Sequence, residues 1–175
     1  MRFENEIDLS VAREDVFAFV ADQRNIPLWN YYVTGVVQER GDGPPVGARY
    51  FQRRKTDSHH TAITGMAPGE SLTVETVEGA PVFHRHIEFR QTRRGTRLLD
   101  SWDLATGYPA ALELFAVRRI RRAVAANLEK LKQLLEEGAV QLQDGRSVSV
   151  DRRADAQRSG SRSPEDGSPC RRVRA

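Results

Sequence analysis

Hydrophobic and polar residues alternate along much of the first hundred residues of the chain. In the first such run, 2–9 (RFENEIDL), charged side chains occupy every second position. This period of two predicts a strand with one face toward water and one toward a core. Six more strand-like segments follow, at Val33–Glu39, Ala48–Arg54, His59–Met66, Ser71–Val77, Val82–Gln91 and Thr96–Leu104. The turns between them are short and contain Gly, Pro or Asp, so we predict an antiparallel meander.

A helical pattern interrupts the strands once, between the first and the second. Residues Val16–Val20 supply the apolar face of a short helix, which Ser10 would cap and Asp22 would end. Asn25 would cap a second, one-turn helix, with Pro27 just inside its start. We expect these two helices to close one end of a curved sheet.

A long helix follows the last strand, predicted from Pro109 to the stop at Gly138. At helical spacing, one stripe contains Val117, Ile120, Val124, Asn127, Leu131 and Leu135. One helix cannot bury such a stripe alone. We therefore predict an α+β fold in which a seven-stranded antiparallel sheet wraps around this helix.

Composition divides the chain near its end. The segment from residue 139 is rich in Arg, Ser, Asp and Gly, so we predict a domain at 1–138 and a linker and tail at 139–175, disordered from about Asp144. Of 27 basic and 24 acidic residues, the tail from Asp144 holds eight and five, which leaves 19 of each sign before it. The basic balance therefore does not favour nucleic-acid binding by the domain.

The cellular location is predicted from the lack of a disulfide, a signal-peptide pattern and a membrane-spanning run in the sequence. Cys170 is the only cysteine, so no intrachain disulfide can form. The N-terminus has no signal-peptide pattern, and no apolar run reaches the length of a membrane span. We expect a cytoplasmic protein.

Four stretches carry a resemblance: IDLSVAREDVFAFVADQRNIPLWN (7–30), PPVGARY (44–50), GTRLLDSWDL (95–104) and AANLEKLKQLLE (125–136). They resemble the START/Bet v 1-like (SRPBCC) superfamily, in particular its branch of polyketide cyclase/dehydrase and lipid-transport proteins. The resemblance covers about residues 2–138. It implies the helix-grip fold, a cavity for a lipid, polyketide or aromatic metabolite, and the possibility of a homodimer. It brings no shared catalytic motif and so assigns no catalytic residue.

Four histidines raise the question of a metal site. His84 and His86 share a strand face with Glu88, but the pattern predicts that this face is exposed to solvent. His59 and His60 are expected two strands away. A solvated pair explains His84 and His86 better than a metal site does. We predict neither a metal nor another cofactor.

Arg85 is different, because it shares the inward parity of Phe83, Ile87 and Phe89. With a turn at 92–95, position 85 faces about 102 and 87 faces about 100, so Arg85 and Asp100 can meet diagonally. Two interpretations stay open: a structural ion pair, or an arginine that anchors a carboxylate or carbonyl of a ligand.

Other polar and aromatic residues complete the candidate site. Asn127 interrupts the apolar stripe of the helix and needs partners, while Glu113 in the first turn fits a capping role. Aromatic residues with a few polar groups commonly line small-molecule pockets. The predicted ligand-binding residues are Trp29, Tyr50, Arg85, Phe89, Asp100, Trp102, Ile120, Val124, Asn127 and Leu131.

The predicted function is the binding of a hydrophobic small molecule between the sheet and the long helix. The alternative is a polyketide cyclase or dehydratase, with Arg85, Asp100 and Tyr50 as candidate proton handlers. The run RRIRR (118–122) suggests RNA or anionic lipid, but without an aromatic stacking platform a solvated helix face is the better interpretation.

Overall fold

The computed structural model describes residues 1–40, 46–105 and 110–150, and the side chains of these residues except 110–114. Strand β1 (Arg2–Leu9) is followed by helix α1 (Arg13–Ala21) and a 3₁₀ helix (Gln23–Leu28). Six strands come next: β2 (Val33–Arg40), β3 (Arg49–Arg54), β4 (Ser58–Ala67), β5 (Ser71–Gly79), β6 (Val82–Thr92) and β7 (Gly95–Ala105). Helix α2 (Ala110–Glu137) leads into a hairpin of β8 (Ala139–Gln141) and β9 (Ser147–Ser149).

Strands β1 to β7 form one antiparallel sheet in the order β1-β7-β6-β5-β4-β3-β2. The meander from β2 to β7 is completed by β1, which pairs with β7 along its whole length. The predicted α+β helix-grip architecture is confirmed, and each predicted strand differs from the observed one by at most two residues at either end. Short turns between β2 and β7 fix this antiparallel strand order because they leave no room for a crossover.

Helix α2 lies along β1 on the inner face of the sheet. The Asn5 side chain donates a hydrogen bond to the Arg121 carbonyl at 3.4 Å, and the Ser10 amide donates to a Glu136 carboxylate oxygen at 2.6 Å. The first half of α2 is therefore near the middle of β1, and its last turn is near the end of that strand. No helix in the described ranges is long and apolar enough to span a membrane.

The break after α1 is confirmed at Asp22, but its caps differ from the prediction. Asp22 itself caps the 3₁₀ helix by accepting a hydrogen bond from the Arg24 amide at 3.1 Å. The predicted cap Asn25 lies inside that helix, because the helix begins at Gln23, directly after Asp22. The Asn25 side chain instead donates a hydrogen bond to the Phe19 carbonyl at 2.9 Å. Ser10 caps no helix either: α1 begins after Ala12 with no side-chain cap.

The segment after α2 also differs from the prediction. Instead of a linker running into disorder, residues 139–150 form the β8–β9 hairpin, with Val140 and Leu142 buried in the main hydrophobic core. Two apolar side chains and a turn at 143–146 hold this hairpin against α2. The predicted disorder of residues 151–175 and the predicted helix start at Pro109 lie outside the described residues.

Candidate functional site

An arginine and an aspartate are paired on the inner face of the sheet. Arg85 lies opposite Trp102, and Ile87 lies opposite Asp100, which is the register that the sequence predicted. Arg85 Nε and Nη2 each donate to one carboxylate oxygen of Asp100, at 2.7 and 2.9 Å. Asp100 is 0% exposed and Arg85 6%. Two parallel charge-assisted hydrogen bonds offset much of the cost of burying both charges.

Two tryptophans lie against this guanidinium. Arg85 Cζ is 4.8 Å from the ring centroid of Trp102 and 5.7 Å from that of Trp29, both within the range of cation–π attraction. Trp102 also packs on Phe83 at 5.0 Å and stacks on Phe3 at 6.1 Å between centroids. The predicted residues Trp29, Arg85, Asp100 and Trp102 are thus brought together in one cluster.

This cluster contains hydrogen-bond donors without acceptors. The indole Nε1 atoms of Trp29 and Trp102 are buried and have no partner among the described residues. Arg85 uses Nε and Nη2 for Asp100, and Nη1 takes part in none of the hydrogen bonds between described residues. We call Trp29 Nε1, Trp102 Nε1 and Arg85 Nη1 the three open donors. Buried donors without partners, such as the two indole nitrogens, are uncommon, so these two call for an acceptor that the described residues do not supply.

The break between α1 and the 3₁₀ helix is what positions Trp29. Pro27 lies in that helix, and the Trp29 amide donates to the Ile26 carbonyl at 3.2 Å. The indole that follows is 3% exposed and reaches Arg85 across the inner face. If α1 continued without this break, the Trp29 side chain would not reach Arg85.

Burial along α2 changes from one half to the other. The second half is packed tightly, with Leu128, Leu131 and Leu134 at most 2% exposed. Ile120 in the first half and Val124 at the midpoint pack against the core but are only partly buried. Leu131 is therefore a core residue, whereas Ile120 and Val124 are partly exposed to solvent.

These two partly exposed residues lie at the level of the ion pair. Asn5 is the cross-strand neighbour of Asp100 and donates to the carbonyl of Arg121. Residues 120–124 of α2 therefore stand over the part of the sheet that contains the pair.

Asn127 is 6% exposed and has a partner that the sequence did not indicate. Its Oδ1 accepts a hydrogen bond from Gln143 Nε2 at 3.3 Å, at the turn of the β8–β9 hairpin. The amide thus joins α2 to the hairpin.

Tyr50 and Phe89 lie apart from the ion pair. Tyr50 is completely buried, and burial raises its pKa to about 12; the Asp22 carboxylate adds to this rise and Arg24 opposes it. Asp22 and Arg24 are at the α1–3₁₀ junction, so the phenol is near that end of the sheet. Phe89 packs edge-on against Phe17 of α1, with 5.3 Å between ring centroids.

His59 is a buried polar residue that the sequence analysis missed. It is 3% exposed, packs 5.7 Å from Phe83, and its Nε2 lies 3.2 Å from Gln52 Oε1. Burial, with a smaller contribution from the Arg54 charge, lowers its pKa from 6.5 to about 4, so the ring is neutral near pH 7. The alternation of His59, Thr61 and Ile63 was the available signal, because all three point inward.

The other histidines lie on the outer face. His84 Nδ1 is 2.6 Å from Glu75 Oε1, and His86 Nδ1 is 2.9 Å from Thr73 Oγ1. This supports the solvated interpretation of these two residues. Within the described part of the chain, no group of three or more His, Cys, Asp or Glu side chains is placed to hold a metal ion. The side chain of Glu113 lies outside the described residues.

Comparison with known proteins places this geometry in a family. A family model described as "Polyketide cyclase / dehydrase and lipid transport" matches residues 1–136. Among curated proteins there is no significant match.

Solved structures give the same fold at low sequence identity. The protein MLL2253 from Mesorhizobium loti is similar at TM-score 0.63 and 16% identity, over 80% of this chain and 100% of that one. The di-domain ARO/CYC StfQ from the steffimycin biosynthetic pathway is similar at 0.62 and 18%, over 78% and 50%. The Aha1 dimer from Colwellia psychrerythraea is similar at 0.58 and 13%, over 78% and 96%. These likenesses establish the helix-grip fold.

Proposed function

The chain belongs to the polyketide cyclase/dehydrase and lipid-transport family, and we propose that it binds a hydrophobic small molecule between the first half of α2 and the inner face of the sheet. The observation that carries this proposal is the change of burial along α2. Leu128, Leu131 and Leu134 of its second half are at most 2% exposed, while Ile120 and Val124 are only partly buried above the ion pair. An apolar ligand body in that region would complete the packing and remove these side chains from water.

The three open donors indicate the polar end of this ligand. Asp100 already neutralises Arg85, so the cluster offers hydrogen bonds without net charge. A carboxylate would lose its hydration there without gaining a counter-charge, whereas a neutral carbonyl oxygen would gain partners at a smaller desolvation cost. We therefore favour a ligand with an aromatic or alicyclic body and a ketone or quinone oxygen.

We place binding ahead of catalysis for this site. Of the three candidate proton handlers, Tyr50 is completely buried near Asp22 and its pKa is raised to about 12, which makes it a poor acid or base near pH 7. Arg85 and Asp100 hold each other in a bidentate pair. A cyclase or dehydratase would have to work mainly by orienting a reactive ligand in the cavity.

Tryptophan fluorescence tests the proposal directly, because the only two tryptophans of the chain both lie in the cluster. We expect 2-acetylnaphthalene to quench this fluorescence in a saturable titration. The matched probe 2-ethylnaphthalene lacks the carbonyl and should bind more weakly, and 2-naphthoate should not bind more tightly than the ketone.

A pair of variants locates the binding. Val124→Phe fills the space beside α2 and should weaken binding of both naphthalenes at least tenfold, whereas Val77→Phe, at a side chain 46% exposed on β5, should not. Failure of both naphthalenes to bind would contradict the cavity. Equal binding of both would contradict only the carbonyl preference.

A further inference from the structure

The outward face of the first half of α2 is basic and carries an exposed aromatic ring. Phe115, Arg118, Arg119 and Arg122 follow the spacing i, i+3, i+4, i+7, which puts them on one face of the helix. All four are exposed, and Phe115 is the most exposed large apolar side chain of the described residues at 72%. We call these four residues the arginine face.

The charges of the arginine face are not compensated by neighbouring acids. The sequence 114–128 contains no Asp or Glu, and the helix has its next acidic residue at Glu129. None of these three arginines forms an ion pair with a carboxylate whose position the structure describes. Two arginines of the sheet do have such partners: Arg90 pairs with Glu88, and Arg97 pairs with Asp8.

We propose that the arginine face docks on an anionic membrane surface, with Phe115 inserted at the boundary between headgroups and acyl chains. A planar guanidinium binds phosphate oxygens in a bidentate manner, and several basic residues close to an anionic surface act together. An apolar ring beside them adds burial that a charge-only contact lacks. Helices that lie in a membrane interface combine these two features.

The composition of this face favours a bilayer over a nucleic acid. Recognition of single-stranded RNA uses several stacking rings on a platform, whereas this face holds one ring on a convex helix. The opposite side of the same helix segment carries Ile120 and Val124. Docking would thus bring the proposed cavity next to a store of hydrophobic molecules, although the docking itself does not depend on that cavity.

Vesicle co-sedimentation of the full chain tests the docking. The probes are large unilamellar vesicles of phosphatidylcholine alone and of phosphatidylcholine with 30% phosphatidylglycerol, at about 100 mM salt. We expect binding to the anionic vesicles only. Each basic residue at an anionic surface contributes about fivefold to partitioning, so R118A/R122A should lower the partition coefficient roughly 30-fold.

Matched variants separate this face from general charge. R93A/R94A removes the same charge from two exposed arginines in the β6–β7 turn, beside the end of β1, and should change partitioning less than about twofold. F115A keeps the charge and should lower partitioning about tenfold, whereas V82A, at a side chain 56% exposed on β6, should not. The Arg-rich segment after residue 150 is present in every variant, so its contribution cancels. Circular dichroism confirms that each variant is folded.

Several outcomes would overturn the proposal. These are equal losses in R118A/R122A and R93A/R94A, equal binding to neutral and anionic vesicles, and unchanged partitioning of F115A. Binding of a single-stranded RNA with no binding of anionic vesicles would assign the face to nucleic acid instead. A concentration-dependent dimer that F115A abolishes, without vesicle binding, would assign it to a second copy of the chain.

Discussion

The buried charges of Arg85 and Asp100 neutralise each other, so removing one charge leaves the other buried and unpaired. We expect Asp100→Asn to lower the free energy of unfolding by about 3–5 kcal/mol, the usual cost of breaking a buried pair. Urea denaturation measures this. The double variant Arg85→Met with Asp100→Leu removes both charges and should cost less than Asp100→Asn alone. A larger cost for the double variant would mean that the pair itself, rather than its desolvation, stabilises the fold.

His59 gives the protein a pH dependence that can be assigned to one residue. Its pKa is about 4 in the folded chain and 6.5 ordinarily, so protonation favours the unfolded state. Its contribution is fully present above pH 6.5 and is lost as the pH falls toward 4, up to about 3 kcal/mol.

Urea denaturation at pH 7.5, 5.5 and 4.5 tests this contribution. His59→Leu should lose less stability across that range than the unaltered chain does. His60→Gln, one residue along the same strand, is the control for removing an imidazole. A direct NMR titration that places the His59 pKa above 6 would contradict the expectation.

Strand parity explains which single residues could be predicted. Arg85 and Asp100 were located because the β6–β7 turn fixes a register in which both face inward. His59 has the same parity relation to Thr61 and Ile63, but the histidines were weighed only as possible metal ligands, so this inward parity was not used. The partner of Asn127 could not be predicted, because Gln143 reaches it only through the hairpin.

At the scale of elements, the start of β7 depends on a close approach to the end of β1. Gly95 has φ +142°, and a Cβ placed there would lie 2.2 Å from the Leu9 carbonyl oxygen and 2.8 Å from the Val11 nitrogen. Gly95→Ala must therefore shift backbone, and we expect it to cost at least about 2 kcal/mol in thermal or urea unfolding. Gly35→Ala in β2 is the matched control, because nothing lies within 4 Å of its Cβ position. Equal effects of the two substitutions would show that the β1–β7 junction tolerates a side chain.

The β8–β9 hairpin is expected to belong to the folded unit. Leu142 is 3% exposed within the main core, so Leu142→Ala should cost about 2–4 kcal/mol. Gln141 is exposed, and Gln141→Ala should change the free energy of unfolding by less than about 0.5 kcal/mol. If Leu142→Ala leaves the free energy of unfolding unchanged, the hairpin is not part of the folded unit and residues 139–150 act as a linker.

Most elements could be predicted because each has a long periodic apolar face. The hairpin shows the same alternation, at Val140, Leu142, Val148 and Val150, but its signal is short and leads into a stretch whose composition indicates disorder. Its strands are three residues each, and Val140 and Leu142 are its only buried residues. The helix caps were mispredicted for a different reason. A residue caps a helix only if the chain turns at that residue. The residue types Ser10 and Asn25 are compatible with a cap but do not determine where the chain turns.

At the scale of the whole molecule, the sheet and the second half of α2 form a filled core, while the first half of α2 is packed less completely. The family match, the Arg85–Asp100 cluster and this uneven burial together support a ligand-binding fold. The same half of α2 carries the arginine face on its outer side. The molecule thus has a tightly packed end that secures the fold and another end where we place its interactions.

Native mass spectrometry of the purified full chain tests the central claim most directly. We predict a non-covalent adduct of one hydrophobic molecule per chain, either as purified or after incubation with excess 2-acetylnaphthalene. This adduct should be lost on denaturation and should be absent from Val124→Phe but present in Val77→Phe. A bare protein mass under both conditions, or an adduct that Val124→Phe retains fully, would contradict a ligand site between α2 and the sheet.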